Sequence, residues 1–404
     1  MNIFKLLIRE IHRAANKAYL KIFCRRPKTV SPAKADSLSK IKKIAFINGC
    51  PDNRSERYRI DNITEALASS GIRSDKYSLY NLDYLLKHIN DYDLLIIFRV
   101  IYTANKIAEV INAFQSHGIP VVFDTDDLIF YPEVVNQIAL TDNFNEKKKR
   151  KFVAGIEAYK KTALVCDAST VTTDYLKRKL HEIGAENAFV IKNTINEKQY
   201  KLAQKLNLQN KKFKSHTVKI CYLSGSATHN TDFKEAEDAL LMILEKYKNA
   251  ELNIVGPLVL DKKFKKYKKQ IKRIRYMNYL KLLEFTSKID INIAPLEMNN
   301  PYNEGKSELK IFESALVGVP SVVSAVDSYS KCVKNGMDGF LAKNRQEWFD
   351  YLSALIEDKE LRRKIGDEAY KSFAEKFYVK NNISDIITVY ESIINQKEEY
   401  DSKK

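Results

Sequence analysis

The stretch NEGKSELKIFESALVGVPSVVS, residues 303–324, places a helix pattern, a glycine and a short apolar run in direct succession. We predict a helix that begins at Ser307 and ends at Gly318, followed by a strand that Pro320 opens. On a helical wheel Glu313 falls among apolar side chains, on the face that the helix should bury. Because a buried carboxylate must find strong partners or take up a proton, Glu313 requires a specific explanation.

Two explanations of Glu313 follow from the sequence. It could form a buried ion pair with Lys306 or Lys310, which periodicity alone favours over a functional role. Alternatively, a functional role could hold this carboxylate inside the domain. Both explanations are open at this point.

Short apolar runs separated by helix patterns extend from this stretch in both directions. The predicted strands cover residues 44–47, 94–98, 121–123, 168–173, 188–192, 218–223, 252–255, 289–294 and 319–324. These runs are continuously apolar rather than alternating, as expected of parallel strands that helices cover on both faces. Helices that end near glycine separate them, which is typical of right-handed βαβ units. The predicted fold class is therefore α/β, with doubly wound parallel sheets.

The length of 404 residues favours two domains of roughly 150–200 residues each. The polar, basic stretch 197–214 has the weakest packing pattern, and we place the linker there. We expect an N-terminal segment (1–40), an N-terminal domain (41–200), a linker (201–216), a C-terminal domain (217–375) and a C-terminal helix that packs back on the N-terminal domain (376–404).

The charge and cysteine content of the sequence indicate the cellular compartment of the protein. The 68 lysines and arginines exceed the 51 acidic residues and give a formal net charge of +17, which favours an anionic partner. The five cysteines have no metal-ligand spacing, which argues for a reducing compartment and against a zinc site. No apolar run reaches the roughly 18–20 residues that span a bilayer, and residues 1–23 carry too much charge for a secretion signal. We therefore expect a cytoplasmic protein.

Two basic segments could bring the protein to an anionic membrane surface. Residues 1–23 combine an apolar stripe at helical spacing with basic flanks, although packing on the protein's own body or a mobile tail explains this pattern equally well. Residues 262–276 carry nine lysines and arginines, for which a solvated helix face is the commoner explanation. Aromatic side chains between them also permit nucleic-acid binding, but no recognised motif accompanies them, and we expect no nucleic-acid partner.

The stretch 303–324 resembles the C-terminal signature of retaining GT-B glycosyltransferases, the class called glycosyl transferases group 1 or family 4. The resemblance covers most of residues 41–382 and is strongest in the C-terminal half. It implies two Rossmann-like domains that face each other across a cleft. The N-terminal domain would bind the acceptor, and the C-terminal domain would bind a nucleotide sugar. Retention of the anomeric configuration is implied as well.

Individual residues take expected roles from this resemblance. In the family a glutamate on this helix, ahead of a Gly-x-Pro turn, binds the ribose hydroxyls of the donor, which implies that role for Glu313. A second family glutamate often stands eight residues earlier, near the donor sugar, but this chain has Gly305 there. We therefore expect Lys306, Ser307 and Lys310 on the donor side, where a basic group would stabilise the departing diphosphate.

A second donor-side segment follows the predicted strand 218–223. Gly225 lets the backbone approach a ligand closely, and Ser226 and His229 offer further hydrogen-bonding groups. We expect all three residues to face the donor phosphates.

On the acceptor side, candidate residues stand at the ends of predicted strands. Gly49 and Arg59 follow the first strand, and both are possible ligand contacts. Arg99 directly follows the second strand, where an exposed arginine is expected to face a ligand.

Three carboxylates, Asp124, Asp126 and Asp127, follow the strand 121–123. An Asp-x-Asp pair after a strand is how metal-dependent glycosyltransferases of another fold hold a divalent cation. We prefer a metal-free role in which these residues position or deprotonate the acceptor hydroxyl, and a helix N-cap is the structural alternative. Lys306 completes the expected catalytic group, and we expect no metal or other cofactor.

The sequence therefore predicts an enzyme that moves a sugar from a nucleotide-diphosphate donor to a glycan or lipid-linked acceptor in cell-surface polysaccharide synthesis. Two alternatives are a non-catalytic binding partner of the same fold, which Gly305 keeps open, and a metal-dependent transferase that uses Asp124 and Asp126.

Overall fold

The computed structural model describes most of the chain, namely residues 26–32, 39–51, 55–137, 145–209, 216–225 and 230–403. The amphipathic helix expected within residues 1–23 lies outside the described residues. Two sheets that follow each other along the chain organise the rest.

The first sheet has seven strands, and only its first strand runs against its neighbour. The strands are β1 (Lys28–Val30), β2 (Lys43–Asn48), β3 (Arg73–Ser78), β4 (Leu94–Phe98), β5 (Val121–Thr125), β6 (Ala168–Val171) and β7 (Ala188–Val190). Their order in the sheet is β1-β3-β2-β4-β5-β6-β7. The winding therefore reverses between β2 and β4, which is where open α/β sheets bind ligands.

The second sheet has six strands, and all its neighbours pair in parallel. The strands are β8 (Val218–Leu223), β9 (Ala250–Val255), β10 (Ile271–Ile274), β11 (Ile291–Ala294), β12 (Ser321–Ser324) and β13 (Phe340–Ala342). Their order is β10-β9-β8-β11-β12-β13, so the winding reverses between β8 and β11.

Helices cover the faces of both sheets. In the first half they are α1 (Asn62–Ser69), α2 (Leu82–Leu86), α3 (Lys106–Ser116), α4 (Glu146–Val165) and α5 (Asp174–Glu182), with a π-helical turn at Arg57–Asp61 and 3-10 turns at Ile89–Asp91 and Pro132–Gln137. The later helices are α6 (Glu197–Gln209), α7 (Asn230–Lys246), α8 (Tyr279–Thr286), α9 (Pro301–Glu304), α10 (Leu309–Ala315), α11 (Asp327–Cys332), α12 (Arg345–Glu357), α13 (Lys359–Ala374) and α14 (Val379–Ser402), with a 3-10 segment at Lys262–Gln270. Among the residues that the structure describes, none of these helices combines the length and the apolar character needed to cross a membrane.

The apolar runs of the sequence become strands with two buried faces. In β4, Leu94, Ile96 and Phe98 pack into one hydrophobic cluster, whereas Leu95 and Ile97 pack into another. Successive side chains of a strand point to opposite faces, so an unbroken apolar run fits a sheet that is covered on both sides.

The last helix, α14, returns to the first half of the chain. Its Ile386, Tyr390 and Ile393 are buried in the same cluster as Ile44 and Ile63 of the N-terminal domain. C-terminal residues therefore complete the N-terminal core, and a chain cut between the two sheets would leave that core open.

The α/β class with two parallel sheets is confirmed, and the observed strands overlap every predicted one. The prediction lacks β1, β3, β10 and β13, because these strands are short or polar. In β3 the polar side chains of Ser74 and Asp75 are buried. The basic run 262–276 forms a 3-10 segment and the edge strand β10 rather than one helix, and α6 covers the first part of the predicted linker.

Candidate active site

A cavity of about 1170 Å³ lies between the two domains. The loops after β4, β5, β8 and β11 line it, and these loops stand at the carboxyl ends of strands beside the winding reversals. Ligand cavities commonly measure about 300–1,000 Å³, so this cavity has room for more than one small ligand.

Glu313 projects from α10 into the cavity wall, and its side chain is 16% exposed. Its Oε1 atom accepts a hydrogen bond from the hydroxyl of Tyr58, which comes from the opposite domain. Arg57 approaches the same oxygen at 3.9 Å. Burial raises the pKa of Glu313, and the contacts with Tyr58 and Arg57 oppose that rise. The alternative of an ion pair with Lys306 or Lys310 is therefore wrong for this structure.

Arg57 connects the two domains beside Glu313. Its guanidinium lies 4.4 Å from the ring centroid of Tyr58 and 4.0 Å from that of Tyr279 in α8. A cation above an aromatic face is favourable, so the three side chains form one wall of the cavity. The sequence analysis missed Arg57 and Tyr58, because a π-helical turn carries no clear sequence signal.

Charged side chains also form a chain of ion pairs across the cavity. Lys306 from the C-terminal domain lies 2.6 Å from one carboxylate oxygen of Asp127, and Arg99 lies 2.8 Å from the other. The Nε atom of Arg99 donates to Asp126 at 2.7 Å. Burial alone would raise the pKa of Asp127, but Lys306 and Arg99 hold it well below its usual range. The structure therefore brings four predicted site residues together.

The backbone of Arg99 adopts a left-handed conformation with a φ of +47°, which residues other than glycine rarely take. Gly49 packs against this backbone, and a Cβ atom at Gly49 would lie 2.2 Å from the carbonyl oxygen of Arg99. Gly49 is not among the residues that line the cavity. Its expected ligand contact is corrected to a packing role that supports the Arg99 loop.

Asp124 and Arg59 are paired inside the N-terminal domain and do not line the cavity. Their side chains are 4% and 0% exposed, and Arg59 donates to both carboxylate oxygens of Asp124. Thr170 donates to Asp124 at 2.6 Å, and Arg59 also donates to the carbonyl oxygen of Ile191. These contacts satisfy both charges. The expected catalytic role of Asp124 and the expected ligand contact of Arg59 are therefore corrected to a structural ion pair.

Lys310 is a cation on the donor wall of the cavity. Its buried Nζ atom has no hydrogen-bond partner among the described residues and lies 5.1 Å from the ring centroid of Tyr222. Burial lowers the pKa of Lys310 to about 8. A buried ammonium group without a partner is costly, so this position favours an anionic ligand.

The loop before α10 contacts the N-terminal domain. Ser307 lines the cavity and accepts a hydrogen bond from Asn193 at 3.0 Å. At Gly305 a Cβ atom would lie 2.8 Å from Leu176 in α5, and Thr173 donates to the Gly305 carbonyl oxygen at 3.4 Å. A glutamate, which the family often has at this position, would require the side chain of Leu176 to shift.

Of the three donor-side residues predicted after β8, the structure describes one. Gly225 lines the cavity, as expected of a residue that faces a ligand. Ser226 and His229 lie outside the described residues.

One wall of the cavity comes from α4, which the sequence analysis did not consider. Its lining residues recur at helical spacing and are Lys148, Lys151, Phe152, Gly155, Ile156 and Tyr159. The apolar positions of this pattern could have indicated a functional face, but the lysine-rich first turns resemble a solvated helix.

The carboxylates show no arrangement typical of a metal site. Within the described ranges, no group of three or more His, Cys, Asp or Glu side chains is placed to hold a metal ion. Asp124 and Asp126, the pair of the metal-dependent alternative, are bound by Arg59 and Arg99 respectively.

Comparisons with known proteins indicate the class of protein to which this chain is similar. Residues 219–358 match the family model described as glycosyl transferases group 1. HepE from Anabaena, solved in complex with UDP and glucose, is 15% identical with a TM-score of 0.56, over 89% of this chain and 100% of that chain. The sucrose-phosphate synthase from Thermosynechococcus elongatus is 12% identical with a TM-score of 0.57, over 88% of this chain and 100% of that chain.

A third structure is TarM from S. aureus in complex with Fondaparinux, alpha-GlcNAc-glycerol and UDP. It is 12% identical with a TM-score of 0.50, over 78% of this chain and 58% of that chain. The comparison with curated protein sequences gives no match.

The fold and the interdomain cavity define a GT-B protein, with two Rossmann-like domains that face each other. Over residues 219–358 the chain is similar in sequence to the glycosyl transferases group 1 family, and its two-domain fold is that of the GT-B glycosyltransferases.

Replacing Asp124 with alanine should lower the free energy of unfolding by about 3–5 kcal/mol, because Arg59 would be left buried without its counter-charge. Urea unfolding monitored by circular dichroism measures this loss. Asp83→Ala breaks an exposed pair with Lys106 and should have little effect. Equal losses in the two variants would contradict the structural role of the buried pair.

Proposed function

We propose that the protein transfers a sugar from a UDP-linked donor to a glycan or lipid-linked acceptor in cell-surface polysaccharide synthesis, with retention of the anomeric configuration. The placement of Glu313 and Lys310 on one wall of the interdomain cavity carries this proposal. A carboxylate suits the hydroxyl groups of a ribose, and an ammonium group suits a diphosphate. The UDP in the HepE and TarM complexes supports uracil as the base of the donor.

The donor binds between the two domains. Its ribose hydroxyls donate hydrogen bonds to Glu313. They replace the hydroxyl of Tyr58, which donates to that carboxylate when no ligand is bound. Its diphosphate lies near Lys310, whose Nζ atom then gains the partner that the described residues do not supply. In the proposed reaction the two domains shield the bound donor from water, which would otherwise hydrolyse the activated sugar.

In the transfer step, the acceptor hydroxyl oxygen forms a bond to the anomeric carbon, and the bond from that carbon to the diphosphate oxygen breaks. The electron pair of the broken bond leaves with UDP, which also takes up the hydroxyl proton. Negative charge grows on the diphosphate during this step, so Lys306 and Lys310 stabilise the transition state more than the ground state. Retention is supported by the family resemblance.

Asp126 and Asp127 position the acceptor hydroxyl in this proposal. Lys306 and Arg99 hold the pKa of Asp127 low, so Asp127 is a weak base while these contacts last. Hydrogen bonding to the hydroxyl is therefore favoured over its deprotonation. We further propose that no metal is needed, because arginine and lysine side chains already hold these carboxylates.

Glu313→Gln should weaken UDP binding by about tenfold or more, because a hydrogen bond to a charged group is worth roughly 1.5–3 kcal/mol. Isothermal titration calorimetry with UDP measures this loss. Titrations of the wild type with GDP, ADP, CMP and dTDP show which base the protein prefers. Glu284→Ala on the exposed side of α8 is the matched control and should bind UDP normally. Normal turnover of a UDP-linked sugar by the Glu313 variant would refute the site. Loss of activity in excess EDTA that added Mn²⁺ restores would refute the metal-free reaction.

UDP affinity should fall as pH rises above about 8, because Lys310 loses its positive charge there. Below that pH Lys310 is charged and can pair with the diphosphate. Log Kd plotted against pH should approach a slope of about 1 in the wild type, as expected when one proton is lost from the free protein. Lys310→Arg stays charged and should flatten the plot. Equal slopes in both proteins would show that another group titrates.

We also propose that the enzyme works in the cytoplasm at the anionic inner face of the cell membrane. The basic run 262–276 supports this location, since nine cations follow one another along the edge of the second sheet. Exposed lysines in this run have no ion pair among the described residues, namely Lys262, Lys265, Lys268, Lys269 and Lys272.

Changing Lys265, Lys268, Lys269 and Lys272 together to glutamine should lower affinity for phosphatidylglycerol-containing vesicles by roughly 1000-fold, because each lysine near an anionic surface is worth about 1 kcal/mol. Vesicle sedimentation at physiological salt measures this loss. The control changes four exposed lysines outside this run, namely Lys334, Lys343, Lys359 and Lys364. Equal losses would show that net charge alone is responsible. Deletion of residues 1–23 tests the N-terminal segment in the same assay.

A further inference from the structure

The wall that α4 contributes is not explained by a nucleotide sugar. Its residues belong to the N-terminal domain, whereas Glu313, Lys306 and Lys310 come from the C-terminal domain. The cavity of about 1170 Å³ extends to both walls. A second ligand therefore has its own surface opposite the donor.

The inner part of this surface is apolar. Phe152 and Ile156 on α4 face the cavity together with Leu128, Ile129 and Val134, which follow β5. Leu128, Val134 and Ile156 are buried, and Phe152 and Ile129 are half-buried. Apolar side chains that line an open cavity offer a surface for a hydrocarbon rather than for a sugar.

The outer part of the same surface is cationic. Lys148 and Lys151 lie on the cavity side of the first turns of α4, one turn before Phe152 and Ile156. Both lysines are exposed, and their charges attract an anion that approaches the apolar surface. A neutral glycan needs neither the cations nor the hydrocarbon surface.

The cavity-lining face of α4 has open space at its centre, beside Gly155. A Cβ atom built at Gly155 meets no other atom within 4 Å, although Gly155 lies midway along the helix. The missing side chain leaves an open channel between the lysines and Tyr159.

We propose that this surface, formed by Lys148, Lys151, Phe152, Gly155 and Ile156, binds a lipid phosphate that carries the acceptor sugar. The hydrocarbon chain packs on the apolar side chains, and the phosphate group meets the two lysines. This assignment rests on the proposed function, since it names the substrate class of the same cavity.

The probes are farnesyl phosphate, farnesol and inorganic phosphate, each titrated into the full-length protein by calorimetry below the concentration at which micelles form. Farnesyl phosphate should bind at least about tenfold more tightly than either of the others, because it uses both parts of the surface. Equal affinity of farnesyl phosphate and farnesol, or of farnesyl phosphate and inorganic phosphate, would overturn the proposal.

Two pairs of variants test the position of the surface. Lys148→Ala with Lys151→Ala should weaken farnesyl phosphate binding by roughly 10- to 100-fold, whereas Lys147→Ala with Arg150→Ala removes the same charge outside the cavity lining. Gly155→Trp should fill the channel and abolish binding, whereas Ala154→Trp places the same ring on the exposed side of the helix. Equal effects within either pair would overturn the proposal.

UDP binding separates this proposal from the proposed function. Gly155→Trp should bind UDP as the wild type does, because α4 belongs to the N-terminal domain and carries none of the residues proposed to bind the donor. If the wild type binds UDP but not farnesyl phosphate, only the lipid-phosphate surface is refuted. If the wild type binds no nucleotide, the donor assignment itself fails.

Discussion

Two opposite charges, Arg59 and Asp124, lie inside the N-terminal domain where water does not reach them. Their pairing brings the turn Arg57–Asp61 against the end of β5, because each charge can be satisfied only by the other element. The same guanidinium approaches Asn193, whose amide donates to Ser307 in the second domain. One buried pair therefore sets the positions of Arg57 and Tyr58, of the carboxylates after β5 and of the loop before α10.

Contacts across the cleft join the two domains on both sides of the cavity. Tyr58 holds Glu313 at one end, and Asp127 holds Lys306 at the other. Each contact pairs a group of the acceptor-side domain with a group proposed to bind donor. A donor that engages Glu313 and Lys306 therefore exchanges protein contacts for its own, so that donor binding and the relative position of the domains are linked through shared atoms.

Sequence patterns predicted most strands of the sheets and cavity residues in both domains, but not the wall formed by α4. Apolar runs such as β4 and β8 were predicted because burial on both faces leaves a clear signal. Glu313 was found because a carboxylate among apolar residues needs a partner. Asp124 was misassigned, since an aspartate after a strand looks the same whether it faces a ligand or a buried arginine 65 positions away. In the sequence, the lysines at the start of α4 look like a solvated helix face. Only the tertiary structure shows that this face of the helix lines the cavity.

Gly305 shows how closely the two halves meet. The space that a glutamate would occupy there is filled by the side chain of Leu176 from the N-terminal domain. Neither Gly305 nor Leu176 lines the cavity, so this close approach is a packing contact between the two domains. A larger side chain at position 305 would press on Leu176, so an evolutionary change in this loop requires a matching change in α5.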